Sequence, residues 1–256
     1  LKLPKKIFEN SELIDYGSGA GLNTLPYNLM GAKCTLLEYD KNSVNFSKNL
    51  FHKFSKKNYK IIKTDLFKFK TKKKFDFVVS NGVSMVTKNP LLNLKICVKS
   101  LKKNGFFILG LADTNGYFQR NLQRYILYSI SKNEKEIIKY SKILFKDHLN
   151  RASKFSGRTI DEIIADTYLV PKMETLSLMD VLSFFKKNNL KLYSFYGNLN
   201  PINFLNLEKK SQFKLVNNEN KVKKSSKIEK NLYLHDLQNF SLSNNNDHNL
   251  NNAMYE

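Results

Sequence analysis

Cysteine is scarce in this chain and long apolar runs are missing, and each shortage narrows what the protein can be. The two cysteines, Cys34 and Cys97, fall in apolar segments and form no C-x-x-C pair. They are therefore expected to be buried thiols in a reducing compartment rather than a disulfide framework. No apolar run approaches the roughly eighteen residues of a membrane span, and no signal peptide is visible. These absences favour a cytoplasmic protein. Because the chain starts at Leu1 rather than Met, we expect an N-terminal piece to be missing.

Arginine is also scarce, although the chain is strongly basic. Lysine and arginine total 43 against 22 acidic residues, which gives a net charge of +21, yet only four of the basic residues are arginines. Such a charge favours a nucleic-acid partner. Arginine, however, is the residue preferred for bidentate recognition of phosphates and bases. A scattered excess of lysine is more typical of a solvated surface, so nucleic acid is a possible partner but not the favoured one.

Three glycines at alternate positions follow a short apolar segment near the start of the chain. Residues 13–22 read Leu-Ile-Asp-Tyr-Gly-Ser-Gly-Ala-Gly-Leu. This pattern predicts a buried strand that contains Asp15 and turns sharply into a helix at Gly17, Gly19 and Gly21. Glycine there permits a close approach of a ligand to the backbone, and the free N–H groups of the following helix would face the same place. The segment predicts a ligand-binding turn, and a tight loop without a ligand is the alternative.

The spacing of the glycines distinguishes two kinds of cofactor. A dinucleotide-binding turn has the pattern G-x-G-x-x-G, with the pyrophosphate on the helix N-terminus. Here Leu22 occupies the third glycine position and Gly21 comes one residue early. A NAD-dependent oxidoreductase is therefore the weaker interpretation.

Apolar strand patterns alternate with helical patterns over the first 112 residues, which predicts a parallel sheet. A chain of 256 residues can hold one such α/β domain and an appendage. The strands predicted after the first are 34–38, 60–64, 75–80 and 106–111, with helices over 23–30, from Val44 to Phe54, and from Pro90 to Gly105. We expect a doubly wound, mostly parallel sheet with helices on both faces.

Polar side chains follow successive strands of this predicted sheet. Glu38 ends the second strand, Asp65 and Leu66 follow the third, and Asn81 follows the fourth. Ligands of open α/β sheets bind outside the carboxyl ends of the strands. A carboxylate at Glu38 can accept hydrogen bonds from two ribose hydroxyls, and Asp65 can accept one from an adenine amino group. The sequence therefore predicts a nucleoside site at this edge.

These segments together resemble the successive motifs of class I S-adenosylmethionine (SAM) dependent methyltransferases, over roughly residues 5 to 112. The resemblance implies a Rossmann-like fold, SAM as the cofactor and S-adenosylhomocysteine as the product. It implies that the three glycines hold the methionine moiety, with Asp15 near its amino group. It also implies that Glu38 binds the ribose, that Asp65 and Leu66 bind the adenine, and that Asn81 lies in the cofactor site.

The chain departs from this family pattern where a catalytic group would be expected. Relatives often carry histidines after Asn-Gly-Val, whereas Ser84 and Met85 follow here, and no metal-ligand cluster is evident. The candidates for a general base are Asp113, just after the fifth strand, and Tyr168. Tyr168 lies in an Asp-x-Tyr-x-x-Pro segment that resembles a group of bacterial methyltransferases of the type 11/12 kind.

The remaining sequence predicts three further regions. After the SAM-binding core at 1–112, a helical insertion over 113–176 would form a lid. The segment 177–205 would then end the methyltransferase core with a helix and with a strand at 191–196. The last segment, 206–256, would be a disordered Lys/Asn-rich tail. A lid favours transfer of the methyl group to an oxygen or nitrogen of a small-molecule acceptor. An RNA methyltransferase, of tRNA or rRNA, or an RNA-binding protein is the alternative.

Overall fold

The computed structural model describes residues 3–55, 58–114, 116–197 and 214–216, together with Asn220 and Lys223. The chain divides into two compact units. The first contains the residues up to Ala112 together with Lys172–Leu176 and Lys186–Asn189. The second contains Asp113–Pro171, Ser177–Phe185 and the described residues from Leu190 onward. Within these described residues, no helix has the length and apolar character needed to cross a membrane.

The first unit is built on one parallel sheet of five strands in the order β3-β2-β1-β4-β5. The elements, in chain order, are β1 (Glu12–Tyr16), α1 (Leu25–Leu29), β2 (Lys33–Glu38), α2 (Lys41–Phe54), β3 (Tyr59–Lys63), β4 (Phe75–Asn81), α3 (Pro90–Lys99) and β5 (Leu101–Gly110). The strand order reverses between β1 and β4, which is the switch point at which such sheets bind ligands. This architecture confirms the predicted α/β fold.

Both faces of the sheet are buried, because successive side chains of a strand point to opposite faces. Leu13 of β1 packs in a cluster with Phe51 of α2, whereas its neighbour Ile14 packs in another with Cys97 of α3. All four side chains are fully buried. The helices therefore cover the sheet from both sides. Cys34 is buried like Cys97, and both cysteines are free thiols.

Two elements of the first unit differ from the sequence prediction. The helix predicted over 23–30 is only the five residues of α1, and the helix predicted to reach Gly105 ends at Lys99. Leu101 instead begins β5 and pairs with Phe75 of β4, followed by a register irregularity. Leu101 packs on the same cluster as Cys97. An apolar residue at that position therefore fits the helical period and the strand equally well.

The second unit is mainly helical. Its helices are α4 (Phe118–Ile130), α5 (Glu134–Leu144), α6 (Lys146–Ser156), α7 (Ile160–Thr167) and the greater part of α8 (Leu178–Lys187). Helices α5 and α6 are separated at Phe145, whose φ of −119° and ψ of 27° leave the helical region. Leu127, Ile137, Leu149 and Tyr168 form the buried core of this unit. Ser177 and Asp180 cap the start of α8 by exchanging hydrogen bonds.

The strand predicted over 191–196 does not join the main sheet. It is the short strand β6 (Phe195–Gly197), which pairs antiparallel with β7 (Lys214–Val216) in a separate two-stranded sheet. The tail predicted to be disordered, 206–256, lies outside the described residues except for β7, Asn220 and Lys223.

Candidate active site

The glycine turn follows β1 directly and needs glycine for two different reasons. Gly17, Gly19 and Gly21 have φ values of +75°, +54° and +78°, in the left-handed region that other residues rarely adopt. A methyl group at Gly17 would lie 2.5 Å from a Cγ atom of Val83, and one at Gly21 would be 3.0 Å from the ring of Phe51. A methyl group at Gly19 would meet nothing within 4 Å. Gly19 is therefore the one glycine of the three that faces open space.

The N–H groups of the turn bond within the protein. Gly17 and Ser18 donate to the carbonyl of Leu37 at 2.9 and 3.0 Å, and Gly21 donates to the carbonyl of Ser18. The following helix α1 begins only at Leu25, four residues after Gly21, so the expectation that its N–H groups face the ligand stays a prediction. Ser18 keeps a buried hydroxyl with no hydrogen-bond partner among the described residues.

Asp15 is buried beneath this turn with only half of its carboxylate bonded. Its Oδ2 accepts a hydrogen bond from the hydroxyl of Thr24, which is itself fully buried. In the described part of the chain, no donor reaches Oδ1. Burial raises the pKa of Asp15 to about 7; the bond from Thr24 lowers it, and the charge of Glu38 raises it further. The group is therefore poised to ionise near neutral pH and to gain from a nearby cation.

Glu38 connects the glycine turn to the end of β2. Its Oε2 accepts the N–H of Gly19 at 2.8 Å, and its Oε1 accepts the N–H groups of Tyr39 and Asp40, also at 2.8 Å. A carboxylate has about four acceptor positions, so three bonds leave capacity on Oε2. The side chain is held in one orientation at the position that the sequence predicts for ribose binding.

Asp65 and Leu66 follow β3 at the same edge of the sheet. The side-chain Oδ1 of Asp65 accepts a hydrogen bond from the N–H of Phe67 at 2.9 Å. The backbone carbonyl of Asp65 accepts hydrogen bonds from the N–H groups of Lys68 and Phe69. These bonds form a tight turn that fixes the carboxylate. Leu66 packs its side chain on the cluster of Ile14. Among the described residues no donor bonds the other carboxylate oxygen of Asp65, which could therefore accept from an adenine amino group.

Asn81 ends β4 beside the end of β5. It pairs with Gly110, where a Cβ atom would lie 1.9 Å from Oδ1 of Asn81. The next residue, Gly82, has a φ of +74° and donates to the carbonyl of Gly110 at 2.8 Å. The absence of a side chain at Gly110 gives Asn81 its place at the edge of the sheet.

The sheet register brings the predicted cofactor residues to one edge. Tyr16, the residue before the glycine turn, is level with Leu37 in β2, and Glu38 is level with Lys63 in β3. Four strands therefore end close together: the glycine turn follows β1, Glu38 ends β2, Asp65 and Leu66 follow β3, and Asn81 ends β4. Two carboxylates, Asp15 and Glu38, contribute negative charge around the turn, which suits a cationic ligand.

The two candidate general bases lie in the second unit, and each has structural contacts. Asp113 accepts the N–H of Leu178 at 2.7 Å and that of Gly116 at 3.3 Å, so its carboxylate caps the start of α8. Tyr168 is fully buried and donates its hydroxyl to Gln123 at 2.7 Å. Burial raises the pKa of Tyr168, so the hydroxyl stays protonated at neutral pH and the phenolate that could act as a base is scarcely populated. These contacts favour packing and capping roles over the predicted catalytic ones.

Several residues of the site carry no sequence signal. Thr24 supplies the only described hydrogen bond to the carboxylate of Asp15, and Val83 packs against Gly17. A threonine nine residues after an aspartate is not a recognisable pattern, and only the folded turn brings the two together. Among the described residues, no group of three or more His, Cys, Asp or Glu side chains is placed to hold a metal ion.

Comparison with known families identifies this arrangement. The family model described as GidB, rRNA small subunit methyltransferase G, matches residues 3–135, which is more than half of the 256 residues. The chain belongs to the GidB family. The match includes all five strands of the parallel sheet and every predicted cofactor residue, and it confirms the resemblance to class I SAM-dependent methyltransferases. No curated protein is significantly similar to this GidB-family chain.

Solved structures share the fold. Two structures of PKMT2 from Rickettsia typhi, one of them in complex with AdoHcy, match with a TM-score of 0.56 each. The sequences are 17% and 16% identical, over 75% and 82% of this chain but only 40% and 45% of the PKMT2 chains. The GidB-family chain therefore spans less than half the length of these proteins. At such low identity the likeness shows the fold alone.

Proposed function

We propose that this chain is a SAM-dependent methyltransferase that methylates RNA of the small ribosomal subunit. The observation that carries the proposal is the GidB family match over residues 3–135. The net charge of +21 adds support, because neutralising RNA phosphates supplies much of the affinity of RNA-binding proteins. The small-molecule acceptor that the sequence favoured rested on the predicted lid and on the interpretation of the lysine excess as a solvated surface, and the family match favours the RNA alternative. A cytoplasmic location, as expected from the sequence, would suit a ribosomal substrate.

The residues at the sheet edge fit SAM, whose methionine moiety carries an ammonium and a sulfonium. Asp15 would stabilise the ammonium, because its buried Oδ1 has no described partner. Glu38 would accept the ribose hydroxyls through its free capacity, and Asp65 would accept the adenine amino group. Gly19 would let the cofactor approach the backbone, since nothing lies within 4 Å of its Cβ position. PKMT2, which shares the fold, was crystallised with AdoHcy.

Bound SAM supplies an activated methyl group on its sulfonium. The contribution of the protein is then mainly to hold the cofactor in one orientation and to exclude water, and such positioning can lower a barrier by roughly 7–11 kcal/mol. A base is needed only if the accepting atom must lose a proton. The bonds that fix Glu38 and Asp65 before any ligand arrives reduce the cost of ordering the site.

The test is transfer of label from methyl-labelled SAM by the purified protein. Four acceptors are compared: small-subunit rRNA, intact small subunits, large-subunit rRNA and a low-mass cell extract. We expect label in the small-subunit RNA and none in the large-subunit RNA, with Glu38→Ala, which should bind SAM more weakly, as a control of reduced transfer. Label confined to the low-mass extract would overturn the RNA acceptor. A protein that binds no SAM by calorimetry would overturn the methyltransferase itself.

A further inference from the structure

The segment at the end of β4 is exposed in its middle and buried on either side. Asn81 is exposed, whereas Ser80 before it and Ser84 after it are fully buried. Between them, the side chain of Val83 lies against the glycine turn, 2.5 Å from where a Cβ atom of Gly17 would be. This segment therefore borders the predicted cofactor site, and its position depends on how its two buried ends are held.

One side chain of α3 holds both of these ends. Oδ1 of Asn93 accepts a hydrogen bond from the hydroxyl of Ser84 at 2.6 Å and a second from the hydroxyl of Ser80 at 3.3 Å. A single carbonyl oxygen thus links β4 to the first residue of the 3₁₀ turn Ser84–Val86 that follows it. Thr87 donates its hydroxyl to the carbonyl of Ser84 at 2.7 Å. Ser84 is therefore fixed through both its side chain and its backbone.

Asn93 stands where the helical pattern predicts an apolar side chain. The buried residues of α3 have the i, i+3, i+4, i+7 spacing of a core-facing stripe, and they are Pro90, Asn93, Leu94 and Cys97. Burying an amide is unfavourable unless it is hydrogen-bonded, and Nδ2 of Asn93 has no partner among the described residues. A leucine would occupy the stripe without that cost. What asparagine adds at this position is the oxygen that holds the two serines.

We propose that Asn93 is a positioning residue of this methyltransferase. By holding Ser80 and Ser84, it fixes the segment 81–83 against the glycine turn at which SAM would bind. Asn93 is fully buried, so it acts through that segment rather than on the substrate. A misplacement of about 1 Å can lower a rate by roughly a hundredfold, and the two hydrogen bonds to Asn93 prevent such a displacement. The inference rests on the proposed function for the reaction that is measured.

The experiment separates positioning from packing by restoring stability without restoring the oxygen. Asn93→Leu leaves the buried hydroxyl of Ser84 without its acceptor, so it should lower the melting temperature. Asn93→Leu/Ser84→Ala removes both partners, which can be nearly neutral for stability, and should regain most of the lost melting temperature. At a temperature at which both variants are folded, we expect kcat for small-subunit rRNA to be roughly ten- to a hundredfold below the wild type in each. SAM affinity, measured by calorimetry, should also be weaker in each.

Ser141→Ala is the matched control, because it removes an equally buried hydroxyl from α5 in the second unit. It should lower the melting temperature without changing kcat or SAM affinity. The KM for rRNA should stay near the wild-type value in every variant, because the buried Asn93 does not contact RNA. Recovery of kcat together with stability in Asn93→Leu/Ser84→Ala, or a normal kcat in Asn93→Leu, would overturn the proposal. If Asn93→Leu does not fold, Ser84→Ala replaces it, and a normal kcat there would overturn the proposal equally.

These measurements also separate the role of Asn93 from the proposed function. If the wild type binds SAM but transfers no label to small-subunit rRNA, the RNA acceptor fails. The SAM affinity of Asn93→Leu/Ser84→Ala then still decides the role of Asn93, and an affinity equal to that of the wild type would exclude it. If the wild type and this double variant both methylate rRNA normally, only the role of Asn93 fails.

Discussion

Replacing Asp15 by asparagine should change the pH dependence of stability in a direction that the buried carboxyl dictates. Burial raises the pKa of Asp15 from 3.8 to about 7. The folded protein therefore holds a proton that the unfolded chain releases at a lower pH. The stability that this proton contributes is complete below pH 3.8 and is lost as the pH rises toward 7. A difference of about three pKa units corresponds to roughly 4 kcal/mol.

An asparagine in place of Asp15 cannot ionise, so the variant should lack this loss. The amide oxygen can still accept the hydroxyl of Thr24, but the amide nitrogen takes the place of Oδ1, which has no described partner. That unbonded donor costs about 1–3 kcal/mol at every pH. We therefore expect the variant to be less stable than the wild type at pH 4.5 and equally or more stable at pH 8. Thr24→Val should raise the pKa of Asp15 further, because the hydrogen bond that lowers it is lost.

Thermal melts of the wild type and Asp15→Asn between pH 4.5 and 8, followed by circular dichroism without SAM, measure this effect. Other titrating groups are common to both proteins and cancel in the difference between their melting temperatures. For a chain of this size 1 kcal/mol corresponds to about 2–4 °C, so the difference should change by up to roughly 10 °C across the range. A difference that stays constant with pH would refute the reasoning, since Asp15 would then be ionised throughout. The variant should also bind SAM more weakly.

Three further predictions concern the glycine turn, Glu38 and Tyr168. Glu38→Ala should weaken SAM binding at least several-fold by calorimetry while the protein stays folded, and unchanged affinity would remove this carboxylate from the site. Gly17→Ala should destabilise the fold by roughly 1–3 kcal/mol in thermal melts, because its methyl group meets Val83 at 2.5 Å, and Val83→Ala should restore part of the loss. Gly19→Ala should cost less stability but reduce SAM affinity; a larger loss of stability than for Gly17→Ala would contradict the open space found there. Tyr168→Phe should lower stability by about 1–2 kcal/mol with an unchanged turnover number, whereas a large fall in turnover without unfolding would restore the catalytic role.

The cofactor edge of the sheet could be predicted because its signals are local. Alternate glycines after an apolar strand indicate a turn wherever they occur, and a polar residue at a strand end is brought to the common edge by the parallel register. Glu38, Asp65 and Asn81 each lie at that edge for this reason. Their exact hydrogen bonds were not predictable, because the donors come from turns whose geometry depends on the whole edge.

The helical unit was harder to predict, since its packing decides what each residue does. Tyr168 stands in a segment that resembles a methyltransferase motif, yet its hydroxyl bonds Gln123 inside the core, 45 residues away in sequence. The helix break at Phe145 lies where an apolar residue suits both a continuous helix and a turn. The same ambiguity affects the first unit, where Leu101 suits both the end of α3 and the start of β5. Composition also weighed against an RNA acceptor, because a lysine excess without arginine is typical of a solvated surface and says nothing about family.

The hydrogen bonds of the glycine turn bear on the choice between SAM and a dinucleotide, independently of the missing third glycine. A pyrophosphate is bound by free N–H groups at a helix N-terminus. Here the N–H groups of Gly17, Ser18 and Gly21 bond to backbone carbonyls, and that of Gly19 bonds to the carboxylate of Glu38. A pyrophosphate would have to displace that carboxylate and would be repelled by its charge. A ligand with a cationic sulfonium and ammonium meets no such cost and gains from Glu38 and Asp15. NADH should therefore fail to compete with SAM at concentrations well above the dissociation constant of SAM, and effective competition would show that the turn can rearrange to release its N–H groups.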